Sequence, residues 1–227
     1  MVRRSAVRRG RVVRRDAVRG EAGFSRTQFS EGALFSEARF GGGARFDRAR
    51  VSGDAWFIGV RFSGNAWFRE MECCGDARFD GVQVGEDAWF DEVQVRGEGW
   101  FDEARFGGSA KFGEAQFGGD ARFRNARISG DAEFDRAQFY GNAWFNGARV
   151  SGDAGFGEAQ FDGNAWFSRA VFDGDITFDG AQFNGETRFG GVLRSTGCGS
   201  TGTRGSRGRG SVGRPGSAGR AFIVLRL

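Results

Sequence analysis

Bulky apolar residues recur along this chain in alternating steps of five and six. Phe24, Phe29, Phe35, Phe40, Phe46, Val51, Phe57, Phe62 and Phe68 open the series, which runs on through Cys73, Phe79, Val84, Phe90, Val95, Phe101 and Phe106 to Phe183 and Phe189. The unit is eleven residues, G-D-A-x-F-x-x-A-x-F-x, and sixteen copies fill residues 20–195. Its fifth position is Phe in all sixteen; its third is Ala in thirteen, with Gly99, Ile176 and Thr187 the exceptions. An α-helix cannot use this spacing, because residues five apart sit about 140° apart on its cylinder. In extended chain, Ala and the Phe two residues on point to the same side. Each A-x-F therefore predicts a very short strand with a small and a large residue facing inward, and the Gly and Asp or Asn before most Ala residues suit a corner.

A second period sets the size of the coil. The ninth position reads Gln94, Arg105, Gln116, Arg127, Gln138, Arg149, Gln160, Val171, Gln182, so the repeat over this stretch is 22 residues, in four short sides of five, six, five and six. One coil of that length and the relic of a tandem duplication would leave the same trace. The fold class this predicts is all-β: a right-handed quadrilateral β-helix, or β-solenoid, of about eight 22-residue coils and about 38 Å in length.

At this point the chain resembles the pentapeptide-repeat family, whose unit is A-(D/N)-L-x-x and whose fold is a four-sided right-handed β-helix. The resemblance covers residues 20–193, as in Ala121-Arg-Phe123-Arg-Asn125 followed by Ala126-Arg-Ile128. The chain departs from the family in two ways. Arg, Trp or Gln stands between the Ala and the bulky residue, and every second unit carries one extra residue. Some members of the family mimic duplex DNA and protect DNA gyrase from inhibitors or toxins, a role that rests on surface charge and not on a motif.

Composition divides the chain in three. Residues 1–19 hold eight Arg and one Asp, residues 20–195 hold 19 basic and 28 acidic groups, and residues 196–227 hold six Arg and no acid. An acidic repeat body, 20–194, thus sits between an N-terminal arm, 1–19, and a Gly/Ser/Arg-rich tail, 195–227. Val2, Val7, Val13 and Val18 keep the rhythm in the arm, which reads either as a degenerate capping coil or as a disordered basic arm. The tail reads as disordered, with an apolar terminus, 221–227, able to cover an open end of the coil. The Arg-rich start has no apolar run behind it and no stretch approaches the length of a membrane span. With three cysteines, Cys73, Cys74 and Cys198, lacking metal-ligand spacing, the expectation is a soluble cytoplasmic protein with free thiols.

Chemistry is sparse. There is no histidine, and the carboxylates follow the repeat, as Asp80, Asp91 and Asp102 do, so no catalytic pair stands out from the period. No enzyme, cofactor or metal site is expected. Asp54, Asn65, Asp76, Asp87, Asp120, Asp131, Asn142 and Asp153 share the second position, where calcium ligation is conceivable. Asn serving as well as Asp points instead to a corner residue bonding its own backbone.

The six tryptophans all occupy the fourth position, which points outward. With a 22-residue coil, one side reads Leu34, Trp56, Arg78, Trp100, Arg122, Trp144, Trp166, Arg188. Neighbours in this stripe can stack as cation–π pairs, and the stripe is also the candidate partner-binding surface. The expected function is a non-enzymatic protein-interaction rod, either monomeric or as a homodimer. Its rivals are a gyrase-binding DNA mimic, whose negative face Arg39, Arg61, Arg105, Arg127 and Arg149 would interrupt, and contact with nucleic acid through the Arg-rich tails alone.

Overall fold

The computed structural model describes residues 17–190 and, outside them, the strand pairs Ala6–Val7, Arg11–Val12, Cys198–Gly199 and Arg204–Gly205. It is a β-solenoid of four parallel sheets in which each two-residue strand pairs with strands 22 residues before and after it. The coil is therefore 22 residues. Around one coil the chain passes through four faces in turn. The glutamine face includes Gln94–Val95 and Gln116–Phe117; the tryptophan face Gly99–Trp100 and Ala121–Arg122. The arginine face includes Arg105–Phe106 and Arg127–Ile128, and the fourth face Ala110–Lys111 and Ala132–Glu133.

The interior follows from the fifth-position phenylalanines. They form two columns of parallel rings, as in Phe101 on Phe123 (4.8 Å, 2°) and Phe90 on Phe112 (4.8 Å, 3°). The columns meet edge to face, with Phe112 against Phe123 at 5.2 Å and 87°. Parallel and T-shaped contacts are the two arrangements that the ring quadrupole favours. Ala, Val, Met71 and Cys73 fill the space around them, and among the described residues no polar side chain is buried. The exception at Gly99 has a steric cause: a Cβ there would lie 2.5 Å from Cδ1 of Phe117.

Two kinds of corner join the faces. Each tight corner spans two residues after a fifth-position Phe and closes with a bond such as Ala126 N–H to the Phe123 carbonyl, 3.2 Å. Its second residue is left-handed: eleven non-glycine residues and Gly59, Gly81, Gly147 and Gly180, at steps of eleven, have φ between 54 and 70°. Glu and Arg hold this strained conformation because the coils above and below fix it; Glu114 N–H, for example, donates to the Asp135 carbonyl at 2.9 Å. The wide corners hold the extra residue of each unit, and most carry glycine at their middle position for want of room. A Cβ on Gly141 would lie 2.5 Å from the carbonyl carbon of Gly119 one coil below.

The side chain that follows this glycine corrects one expectation. The second-position Asp or Asn does not bond its own backbone; its oxygen accepts the backbone N–H of the equivalent residue one coil on. Asp76 N–H donates to Asp54 (3.0 Å), Asp153 N–H to Asp131 (2.9 Å) and Asn164 N–H to Asn142 (3.1 Å). Stacked corners place the next coil's donor nearer than any donor of the same turn, and an acceptor is all the site needs. At the chain ends, Ala6–Val7, Arg11–Val12 and Ala17–Val18 pair with Gln28–Phe29, Ala33–Leu34 and Arg39–Phe40, so the strand pairing extends into the N-terminal arm. In the tail, Cys198–Gly199 pairs with Ile176–Thr177 and Arg204–Gly205 with Gln182–Phe183. The rest of both segments, including Val2, Val13 and 221–227, lies outside the described residues.

Removing a ring from the middle of a column, Phe123→Ala, should cost about 3–5 kcal/mol in denaturant unfolding; a loss below about 1 kcal/mol would place that ring outside the core. At the left-handed corner, Glu114→Val should destabilise by about 1–3 kcal/mol while Glu114→Gly is tolerated, the difference reading the backbone strain directly.

Candidate interaction surface

Because every outward position recurs one coil later, the surface is a set of columns. Leu34, Trp56, Arg78, Trp100, Arg122, Trp144, Trp166 and Arg188 stand in consecutive register on the tryptophan face. All seven stripe residues singled out in the sequence are thus brought together. They present less open aromatic surface than expected. Trp56 is exposed, but Trp100, Trp144 and Trp166 are half-buried, since each ring is covered by the side chains of adjacent coils.

Trp100 is the most constrained of them. The Arg78 guanidinium lies 3.5 Å from its ring centre on one side and that of Arg122 4.9 Å away on the other. Its indole N–H donates to Glu98 Oε2 at 2.5 Å, and the same oxygen takes Arg122 at 3.2 Å. Arg78 in turn meets Asp80 at 3.3 Å. Burial raises the Asp80 carboxyl above its ordinary pKa, and the Arg78 charge opposes that shift. Further along, Trp144 packs on Trp166 with ring centres 3.7 Å apart, and Arg188 pairs with Glu186. Cation–π stacking and partial burial together hold the stripe rigid.

Trp67 and Trp89 lie on the fourth face, stacked at 5.3 Å, with Arg45 over Trp67 at 4.5 Å. A groove runs along the glutamine face, lined by Gln94, Gln116, Gln138 and Gln160 together with the corner residues Glu114 and Arg136. Within the lining Arg136 pairs with Glu114 at 2.8 Å, and nearer the N-terminus Arg48 holds Glu70 at 2.7 Å and lowers that carboxyl's pKa by hydrogen bonding.

The carboxylates that follow the Phe period are occupied in the same structural way. Asp80 accepts the Asp102 N–H, Asp91 that of Gly113, and Asp102 that of Arg124. Among the described residues no group of three His, Cys, Asp or Glu is placed to hold a metal ion, and no helix is long and apolar enough to cross a membrane. None of these arrangements was legible as a pairing in the sequence, although the 22-residue spacing of Arg48 and Glu70 carried the signal.

Compared with known families, the chain matches a model described as pentapeptide repeats (9 copies) over residues 24–72, 57–105, 90–138, 101–149, 112–160, 134–182 and 145–193. No curated protein matches the sequence.

The two adjacent thiols differ in kind. Cys74 is exposed, whereas Cys73 takes a core position and burial pushes its pKa from 9.0 up to about 11. A thiol that ionises at 9.0 when unfolded and only near 11 when folded favours the fold up to about pH 9; that contribution is lost as pH rises to about 11. Stability should fall by about 2–3 kcal/mol across that window, and Cys73→Val should remove the dependence. A thiol reagent should modify Cys74 in the native protein and reach Cys73 only after denaturation.

Proposed function

This chain belongs to the pentapeptide-repeat family, and we propose that it works as a rigid, non-enzymatic rod whose tryptophan face docks a protein partner. The observation that carries this reading is the stripe itself: four Trp and three Arg in unbroken register beyond Leu34, fixed before any partner arrives. Trp and Arg are the residue types that dominate interface energetics. Side chains already held by stacking and ion pairing lose little entropy on binding. Carboxylates committed to backbone N–H groups, together with the missing histidine, support a role outside catalysis.

The gyrase-binding alternative draws on a second feature. Asp54, Asp76, Glu98 and Asp120 form an acidic column on the corner before the tryptophan face. One oxygen each of Asp54, Asp76 and Asp120 is committed to a backbone N–H, and the arginine face breaks the negative surface, so this reading ranks second.

Trp144→Ala with Trp166→Ala should weaken capture of the docked partner at least about tenfold while leaving the far-ultraviolet spectrum unchanged. Arg39→Ala with Arg61→Ala, on a different face, should not. Equal loss in both variants would remove the stripe from the account. In a supercoiling assay, the rod should change neither gyrase activity nor its sensitivity to inhibitors; a change in either would promote the DNA-mimic reading.

A further inference from the structure

The charged columns of the rod fall into two classes. Arg50 with Glu72, Lys111 with Glu133 and Arg124 with Asp102 pair from coil to coil. The arginine face does not. Arg39, Arg61, Arg105, Arg127 and Arg149 are exposed and make no ion pair, side-chain hydrogen bond or ring contact with a described residue. Arg105, Arg127 and Arg149 stand in register on three successive coils. At a strand spacing of about 4.8 Å, such like charges oppose folding. No described residue pairs with them.

Opposite charge lies one corner away. The wide corner after the arginine face ends in Asp131 and Asp153 on successive coils, both exposed. One oxygen of each accepts the next coil's N–H, and the other has no partner among the described residues. Between the two columns stand only small residues: Gly107, Gly108, Ser129, Gly130, Ser151 and Gly152. The edge is thus a positive and a negative stripe in parallel, with one period and room for close approach.

Two parallel stripes of opposite sign are complementary to themselves. We infer that this edge docks a second copy of the chain, side by side and pointing the same way, about a twofold axis that runs along the rod between the stripes. Rotation about that axis sets Arg127 opposite the partner's Asp131 and Arg149 opposite the partner's Asp153, and each pair occurs twice. Rods pointing opposite ways would set arginine against arginine. A second copy also shares the 22-residue step, so the match holds on both of these coils at once, while Arg105 meets Ser109. A polyanionic strand laid on the arginines would run beside the aspartates and be repelled. From Arg105 to Asp153 the outward positions of this edge carry no large apolar side chain, so the association is electrostatic and yields to salt.

Sedimentation velocity on the full chain tests this, with a dimer expected at low salt and a monomer at high salt. Asp131→Asn with Asp153→Asn should weaken the dimer about tenfold or more without lowering the melting temperature. Asn keeps the acceptor that the next coil needs, as Asn142 and Asn164 do natively. Arg127→Glu with Arg149→Glu should abolish the dimer. Ser129 lies beside the axis, so Ser129→Cys, with Cys74→Ser and Cys198→Ser, should crosslink to its own copy on oxidation. A monomer at low salt, a dimer indifferent to both pairs of substitutions, or no crosslink through position 129 would overturn the inference. So would a monomer that retains a single-stranded oligonucleotide through Arg127 and Arg149.

Discussion

Ring-on-ring packing of phenylalanine is the interaction on which the rest of this molecule depends. Parallel strands stack at about 4.8 Å, and the rings of successive coils lie 4.7–5.0 Å apart in nearly every step of the two columns. The two spacings agree closely enough that every coil can repeat the one below without strain. A single unit hides too little apolar surface to offset the ordering of eleven residues, so neither the strands nor the corners are stable alone. Once the columns are stacked, the backbone between them has little freedom. That confinement is what holds Glu and Arg in left-handed corners.

The same regularity organises the outside. A residue on one coil stands directly over its counterpart on the next, so any surface property becomes a column. On the tryptophan face the column satisfies itself through Arg78, Trp100, Arg122 and Glu98. Around the glutamine face, Arg136 and Glu114 neutralise each other. The arginine face stacks like charge with no ion pair among the described residues, and it lies around the solenoid from the glutamine groove. A rod of this kind can therefore carry separate tasks on separate sides while its core stays the same.

How much of this the sequence discloses varies by element. The Phe rhythm gives the strands, and the alternation of Gln and Arg at the ninth position gives a 22-residue period, which the strand register identifies as one coil. The stripe from Trp56 to Arg188 follows by arithmetic. The left-handed corners are harder to read, since Arg26, Glu37 and Glu92 occupy positions that composition would reserve for glycine. The hint lies in Gly59, Gly81, Gly147, Gly180 and Asn125 at the same phase. The corner Asp and Asn residues are legible as hydrogen-bonding groups but not in direction, because the donor they choose depends on what is stacked above them. The stacking of Arg on Trp in the stripe is legible and is seen at Trp100, but the depth to which the rings are covered is not: a one-dimensional pattern shows which way a ring points, not how closely its neighbour lies on it.

The corner bonds from Asp54 to Asn164 all run one way, side-chain oxygen on the earlier coil and backbone N–H on the later. The rod is therefore a vector. Each described coil turns carboxyl and carboxamide oxygens toward the coil after it and amides toward the coil before it. A coil stacked on the later side meets acceptors, whereas two later sides set face to face would bring like groups together. Chemically unlike sides, set by nothing more than which side of a corner carries its aspartate, give the solenoid a polarity comparable to that of a filament built from asymmetric subunits.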